Sequence, residues 1–121
     1  MDYESVMVVA PAGAPGVRLV MRRMSFARRV ELMRRIRELA RRAEFLQAGD
    51  DAGQQMDAAL LRAEIDRLYV VWGLEGIEGL TIDGVPATPE SLAETGPEAL
   101  FREAVKAVRG ECGLSDEERK N

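Results

Sequence analysis

Two apolar stripes with nearly heptad spacing limit what this chain can become. In the first, Leu32, Ile36, Leu39, Ala43 and Leu46 step by 4, 3, 4 and 3 residues. Phe26, Met33 and Ala40 widen that stripe. In the second, Ala58, Leu61, Ile65, Leu68 and Trp72 step by 3, 4, 3 and 4, with Val71 at the border. Such spacing places apolar side chains on one face of a helix. It predicts one helix from a Ser25 cap to about Ala48 and another from Gln54 to Trp72. Between them, Gly49 can stop the first helix and Asp50 or Asp51 can cap the second. Two amphipathic helices joined by so short a turn predict an antiparallel hairpin. Each stripe lasts only two to three heptads, too few for a long coiled coil. Their expected use is core packing, with docking of a partner helix as the alternative.

The outer face of the first helix is rich in arginine. Glu31 precedes Arg34 and Arg35 by three and four residues, and Glu38 does the same for Arg41 and Arg42. Pairs at this spacing support a helix by roughly 0.2–0.5 kcal/mol each. Residues 1–49 hold ten arginines and five acids, a net of +5, while residues 50–121 hold seven bases and sixteen acids, a net of −9. A basic half raises a nucleic-acid-binding regulator that uses the Arg-rich segment 22–42. The local Glu–Arg pairing weighs against it, because a stripe meant for phosphates leaves its cations unanswered. Attraction between the two halves explains the asymmetry without a ligand.

Before the helices, Ser5–Ala10 and Val17–Arg23 are rich in β-formers and flank the Pro- and Gly-dense APAGAPG. They predict a β-hairpin or two strand-like arms. Val17, Leu19 and Met21 alternate with Arg18 and Arg22, so one face can be buried and the other wet.

After the helices, Gly73, Gly76 and Gly79 end the helical pattern. They do not form a nucleotide loop, since no strand precedes them and no Lys-Ser or Lys-Thr closes them. Leu80, Ile82 and Val85 straddle Asp83-Gly84, a turn signal flanked by very short strands. Thr88-Pro89-Glu90 starts a short helix to about Glu94. Gly96-Pro97 breaks it, and a further helix runs to about Val108 with Leu100, Phe101, Ala104, Val105 and Val108 on its apolar stripe. Gly110 or Gly113 can end that helix. Ser115 with Glu118 matches a capping box, but only a single turn could follow. The expected class is α+β. An antiparallel helical hairpin and further C-terminal helices accompany a small antiparallel β element from the N-terminal strands and a short Asp-Gly turn. Residues 1–114 are expected to form one domain and residues 115–121 a frayed tail.

Composition narrows the chemistry. The 121 residues contain no histidine and one cysteine, Cys112. Histidine-based acid–base catalysis and the usual nucleophile–base pairs are therefore excluded, and a structural zinc site is nearly so. An unpaired cysteine suits a reducing compartment. The acidic start and the short apolar run Val6–Ala10, broken by Pro11, do not read as a signal peptide. No run approaches the ~18 apolar residues of a membrane span. These features together imply a cytoplasmic, non-enzymatic protein with no cofactor and no metal.

The stretch around the single tryptophan carries a resemblance. Trp72 ends a helix, Leu80 and Asp83-Gly84 form a turn segment, and Pro86, Pro89 and Leu92 lead into the next helix. Over about residues 68–108 this resembles small phage and prophage tail assembly chaperones. The closing SDEERKN also resembles the ends of small prophage proteins. The resemblance implies a factor that binds a tail component such as the tape-measure protein, with Trp72, Leu80, Asp83, Gly84, Pro86, Pro89 and Leu92 as the partner-binding or structural motif. The expected partner is another protein chain, whether a tail component or the client of a generic interaction module. Nucleic acid is disfavoured, a membrane is not expected, and self-association stays open. The acidic second half would favour a client with basic segments.

Overall fold

The N-terminal β-rich runs pair as their alternation requires. In a computed structural model of the chain, which describes residues 1–113, β1 (Val6–Val9) and β2 (Arg18–Arg22) form an antiparallel hairpin. Its loop is held to the last helix by the Gly13 N–H, which donates to Glu103 Oε1 at 3.1 Å. Leu19 and Met21 point to the core and are fully buried, while Arg18 is exposed.

Helix α1 (Phe26–Gln47) and helix α2 (Ala52–Gly73) follow. Ser25 caps α1, its Oγ accepting from the Arg28 N–H at 3.1 Å. The Gln55 Nε2 donates to the carbonyls of Gln47 and Gly49 at 2.6 and 2.8 Å. Arg62 donates to the Gln47 side chain. These bonds tie the start of α2 to the end of α1 and satisfy carbonyls that a helix terminus leaves open.

Helix α2 passes directly into β3 (Leu74–Glu78), which lies beside β2 in a three-stranded sheet of order β1-β2-β3. The sequence pattern does not announce β3, and the reason is a bulge. The register runs Leu19↔Ile77 and Val20↔Gly76 but then Met21↔Leu74, leaving Glu75 as the extra residue. A bulge shifts side-chain parity by one. Leu74 and Ile77, three residues apart, therefore both align with core-facing residues of β2. Strands β4 (Thr81–Ile82) and β5 (Val85–Pro86) make a second, two-stranded sheet around Asp83-Gly84. Both turn residues have positive φ, 54° and 79°, the combination that a two-residue type I′ hairpin demands.

Thr88 caps α3 (Pro89–Thr95) in a reciprocal capping box with Ser91, and Pro89 occupies the first turn. Helix α3 packs against α4 (Glu98–Glu111), β3 and β4. Leu100, Ala104, Val105 and Val108 form the buried side of α4 as the spacing predicts, whereas Phe101 is half-buried. Gly113, at φ 74°, closes the helix end.

The class is α+β, as expected. Within the span 1–114 expected as one domain, contacts cluster in two compact units. Ser25–Leu68 forms one, and Met1–Met24 with the chain from Tyr69 onward forms the other. The expected tail at 115–121, with its capping-box match, lies outside the described residues.

Three expectations about the helix faces need correction. Phe26 and Met33 do not join the buried stripe of α1; Phe26 is 87% exposed. In the last turn of α2, Tyr69 and Val70 are the buried residues, while Leu68, Val71 and Trp72 are only half-buried. The physical reason is a change of surroundings along one helix, since Tyr69 onward belongs to the sheet-containing unit. There Arg109 sits over the Tyr69 ring, 5.5 Å from its centroid.

The junction at Gly73 admits no side chain. A Cβ there would lie 2.5 Å from Val108 Cγ1 and 2.9 Å from its Cγ2, and Val108 is itself buried and stiff at χ1. Gly73→Ala should therefore destabilise by about 1–3 kcal/mol in urea titrations, although alanine is the better helix former. Combining it with Val108→Ala should give a loss clearly smaller than the sum of the two single losses. Strict additivity would show that the two positions do not press on each other.

Candidate functional site

The residues that carry the family resemblance fall into two groups. Pro89 and Leu92 are buried, and Trp72 and Leu80 are half-buried. Asp83 and Gly84 are exposed at the tip of the β4–β5 hairpin, and Pro86 is exposed in β5, paired with Thr81. The segment closes on itself, since the Ala87 N–H donates to the Leu80 carbonyl at 2.9 Å. Helix α3 then lies against β3 and β4 with Leu92 inward. The seven residues thus include a turn, the first position of a helix and buried or half-buried anchors. They do not converge on one surface. The exposed part able to meet a partner is the hairpin tip.

A different surface stands out once burial is known. Among the described residues, ten large hydrophobics are exposed, and six of them lie in the Ser25–Leu68 unit: Phe26, Val30, Met33, Phe45, Met56 and Leu60. Phe26, Val30 and Met33 follow at i, i+4 and i+7, so they share one face of α1. Met56 and Leu60 are four apart and share a face of α2. Phe45 is 76% exposed near the end of α1. A scattered exposed Leu means little, but aligned apolar residues on a two-helix element are the signature of a contact surface. The helical period places Phe26 and Met33 with the core and does not single out Val30, Phe45, Met56 or Leu60. The available signal was that the last three lie off the main stripe of their helices.

Charge surrounds this surface. Helix α1 carries seven arginines against three glutamates. Glu31 binds Arg34 at 3.3 Å and Arg35 at 2.9 Å, as its spacing predicts. All three side chains are substantially solvated, so these pairs add little stability. They do fix the two guanidinium groups along the helix.

Among the described residues no three Asp, Glu or Cys side chains gather as a metal-binding set, and no buried side chain is charged. Cys112 is buried at the end of α4. None of the described helices is long and apolar enough to cross a membrane. No protein-family model, curated protein or solved structure matches the chain.

Two outcomes follow from these placements. Half-burial of Trp72 reduces the loss expected of Trp72→Ala to about 1–2 kcal/mol, below the 3–5 kcal/mol typical of a fully buried aromatic; urea titration reads the difference. The Glu31-engaged face of α1 should bind duplex DNA only weakly, with binding lost near physiological salt. A sub-micromolar duplex complex at that salt, by fluorescence anisotropy, would overturn the assignment of this face as salt-bridged.

Proposed function

We propose that this protein works by holding another protein chain and performs no chemistry of its own. The observation that carries the reading is the aligned exposed apolar set of the helical hairpin: Phe26, Val30 and Met33 on α1, and Met56 and Leu60 on α2. Exposed apolar side chains cost free energy in water that a partner's apolar face can recover. The flanking arginines suit a client helix that is apolar on one side and acidic at its edges. The absence of histidine from the sequence supports the non-enzymatic part of the reading.

The client class comes from the resemblance of the Trp72–Leu92 stretch to tail assembly chaperones. We place the protein as a cytoplasmic, prophage-type tail assembly factor, its client a tail component such as a tape-measure protein. Long tail proteins rich in helices present apolar faces before assembly, and a small helical hairpin can cover such a face until the proper neighbour arrives.

Co-expression with the proteins encoded beside it, followed by affinity capture, tests the reading. A tail component should co-purify with the wild type. Phe26→Ser and Phe45→Ser should each weaken capture about tenfold, as removal of a contact aromatic does, while changing stability by less than about 0.5 kcal/mol because both rings are already in water. Equal capture by the wild type and by the two variants would remove the hairpin from the binding surface. Neighbouring genes without any tail component would remove the client class.

A further inference from the structure

The helical unit, Ser25–Leu68, is poorly buried for its size. It holds more than a third of the chain but only four of the seventeen buried apolar residues among those described: Leu32, Ala43, Ala58 and Leu61. Two of the four are alanines, which bury little area. The rest of the inward stripe, Ile36, Leu39, Leu46, Ile65 and Leu68, is only half-buried. Six large apolar side chains of the same unit stay in water.

The sheet-containing unit is built differently. Leu19, Met21, Val70, Leu74, Leu92 and Val108 are each at most 1% exposed, and three strands are locked in register. In the helical unit, the bonds from Gln55 and Arg62 that tie α2 to α1 lie near the turn and are exposed to water. Resistance to local opening follows buried apolar contact and shielded hydrogen bonds. Helices of this length that lack such contacts are marginal in water.

We propose that the helical hairpin is a cooperative opening element: in the free chain α1 and the part of α2 before Tyr69 separate and fray together, while the sheet-containing unit stays folded. The proposal does not depend on the client-binding reading. Opening turns the hairpin into a loop between the register partners Met21 and Leu74, and the cost of a longer loop rises only with the logarithm of its length. Fraying stops at the last turn of α2, because Tyr69, Val70 and Gly73 are buried and Gly73 lies against Val108. Closed, the hairpin shields Leu32 and Leu61 and half-shields the stripe between them; open, it gives all of these to water. The two forms make a switch, since anything that binds the closed hairpin alone lowers the open population by mass action.

Hydrogen–deuterium exchange of the full chain, read by mass spectrometry, tests this. Corrected for intrinsic rates, amides of 30–47 and 54–66 should exchange at least about a hundredfold faster than those of β2, β3 and α4. Ala59→Gly, an exposed change in α2, should speed exchange about fivefold in α1 as well as in α2, because helices that open together share the propensity cost of glycine. Val105→Ala, in the core of the other unit, should speed exchange of the sheet amides about tenfold or more and leave that of the helical hairpin unchanged. If Val105→Ala does not fold, Ala59→Gly carries the test. Equal protection of the two units overturns the proposal, as does an Ala59→Gly effect confined to α2. So does a Val105→Ala variant that speeds the hairpin as much as the sheet.

Discussion

The pairing of β2 with β3 is the constraint on which the rest of the structure depends. The two strands are neighbours in the sheet but are separated in sequence by the whole helical hairpin. Met21 and Leu74 are register partners although α1 and α2 lie between them. Closing so long a loop costs entropy that grows only as the logarithm of its length. The insert is not slack chain, however. Its helices are cross-linked near their turn by Gln55 and Arg62, so the hairpin returns the chain near its point of departure. That return positions Leu74 for β3, and β3 then supplies the surface on which α3 rests.

The abrupt passage from α2 into β3 sets the packing that follows. No loop residue intervenes between Gly73 and Leu74. Gly73 is buried with Val108 of α4 against it, closer than any Cβ would allow. The close approach lets Leu74, Val70, Leu92 and Val108 bury their side chains to within 1% of completely. Each such aliphatic contributes roughly 1.5–3 kcal/mol relative to exposure. A glycine that looks like a helix terminator in sequence is thus a packing requirement in three dimensions.

Much of the architecture was legible in the sequence because it is local. Ser25 and Thr88 cap their helices, Asp83-Gly84 turns, and the apolar stripe of α4 is buried as its spacing demands except at half-buried Phe101. What escaped depends on partners far along the chain. The β3 pattern, LEGIE, has no clean alternation until the bulge opposite Val20 and Met21 is known. Burial of Tyr69 in place of Trp72 follows from the sheet-containing unit and not from the helix period. The exposed apolar residues were hidden for a related reason: periodicity marks a face as apolar, but only the three-dimensional neighbours decide whether it is covered. The motif around Trp72 reads in sequence like one site, but its residues are spread over a turn, a helix start and the core beneath them.

The exposed apolar residues of the helical hairpin and the paired strands obey different chemistry. Strand pairing fixes register through main-chain hydrogen bonds, as β2 does with β3 even across a bulge. Phe26, Val30 and Met33 on α1 and Met56 and Leu60 on α2 present side chains without such a register. A partner of the kind proposed would meet them through apolar contact alone, which tolerates variation in the partner's sequence. Phe26 and Phe45 are already in water, so a change at either acts on contact with a partner and leaves the fold nearly untouched.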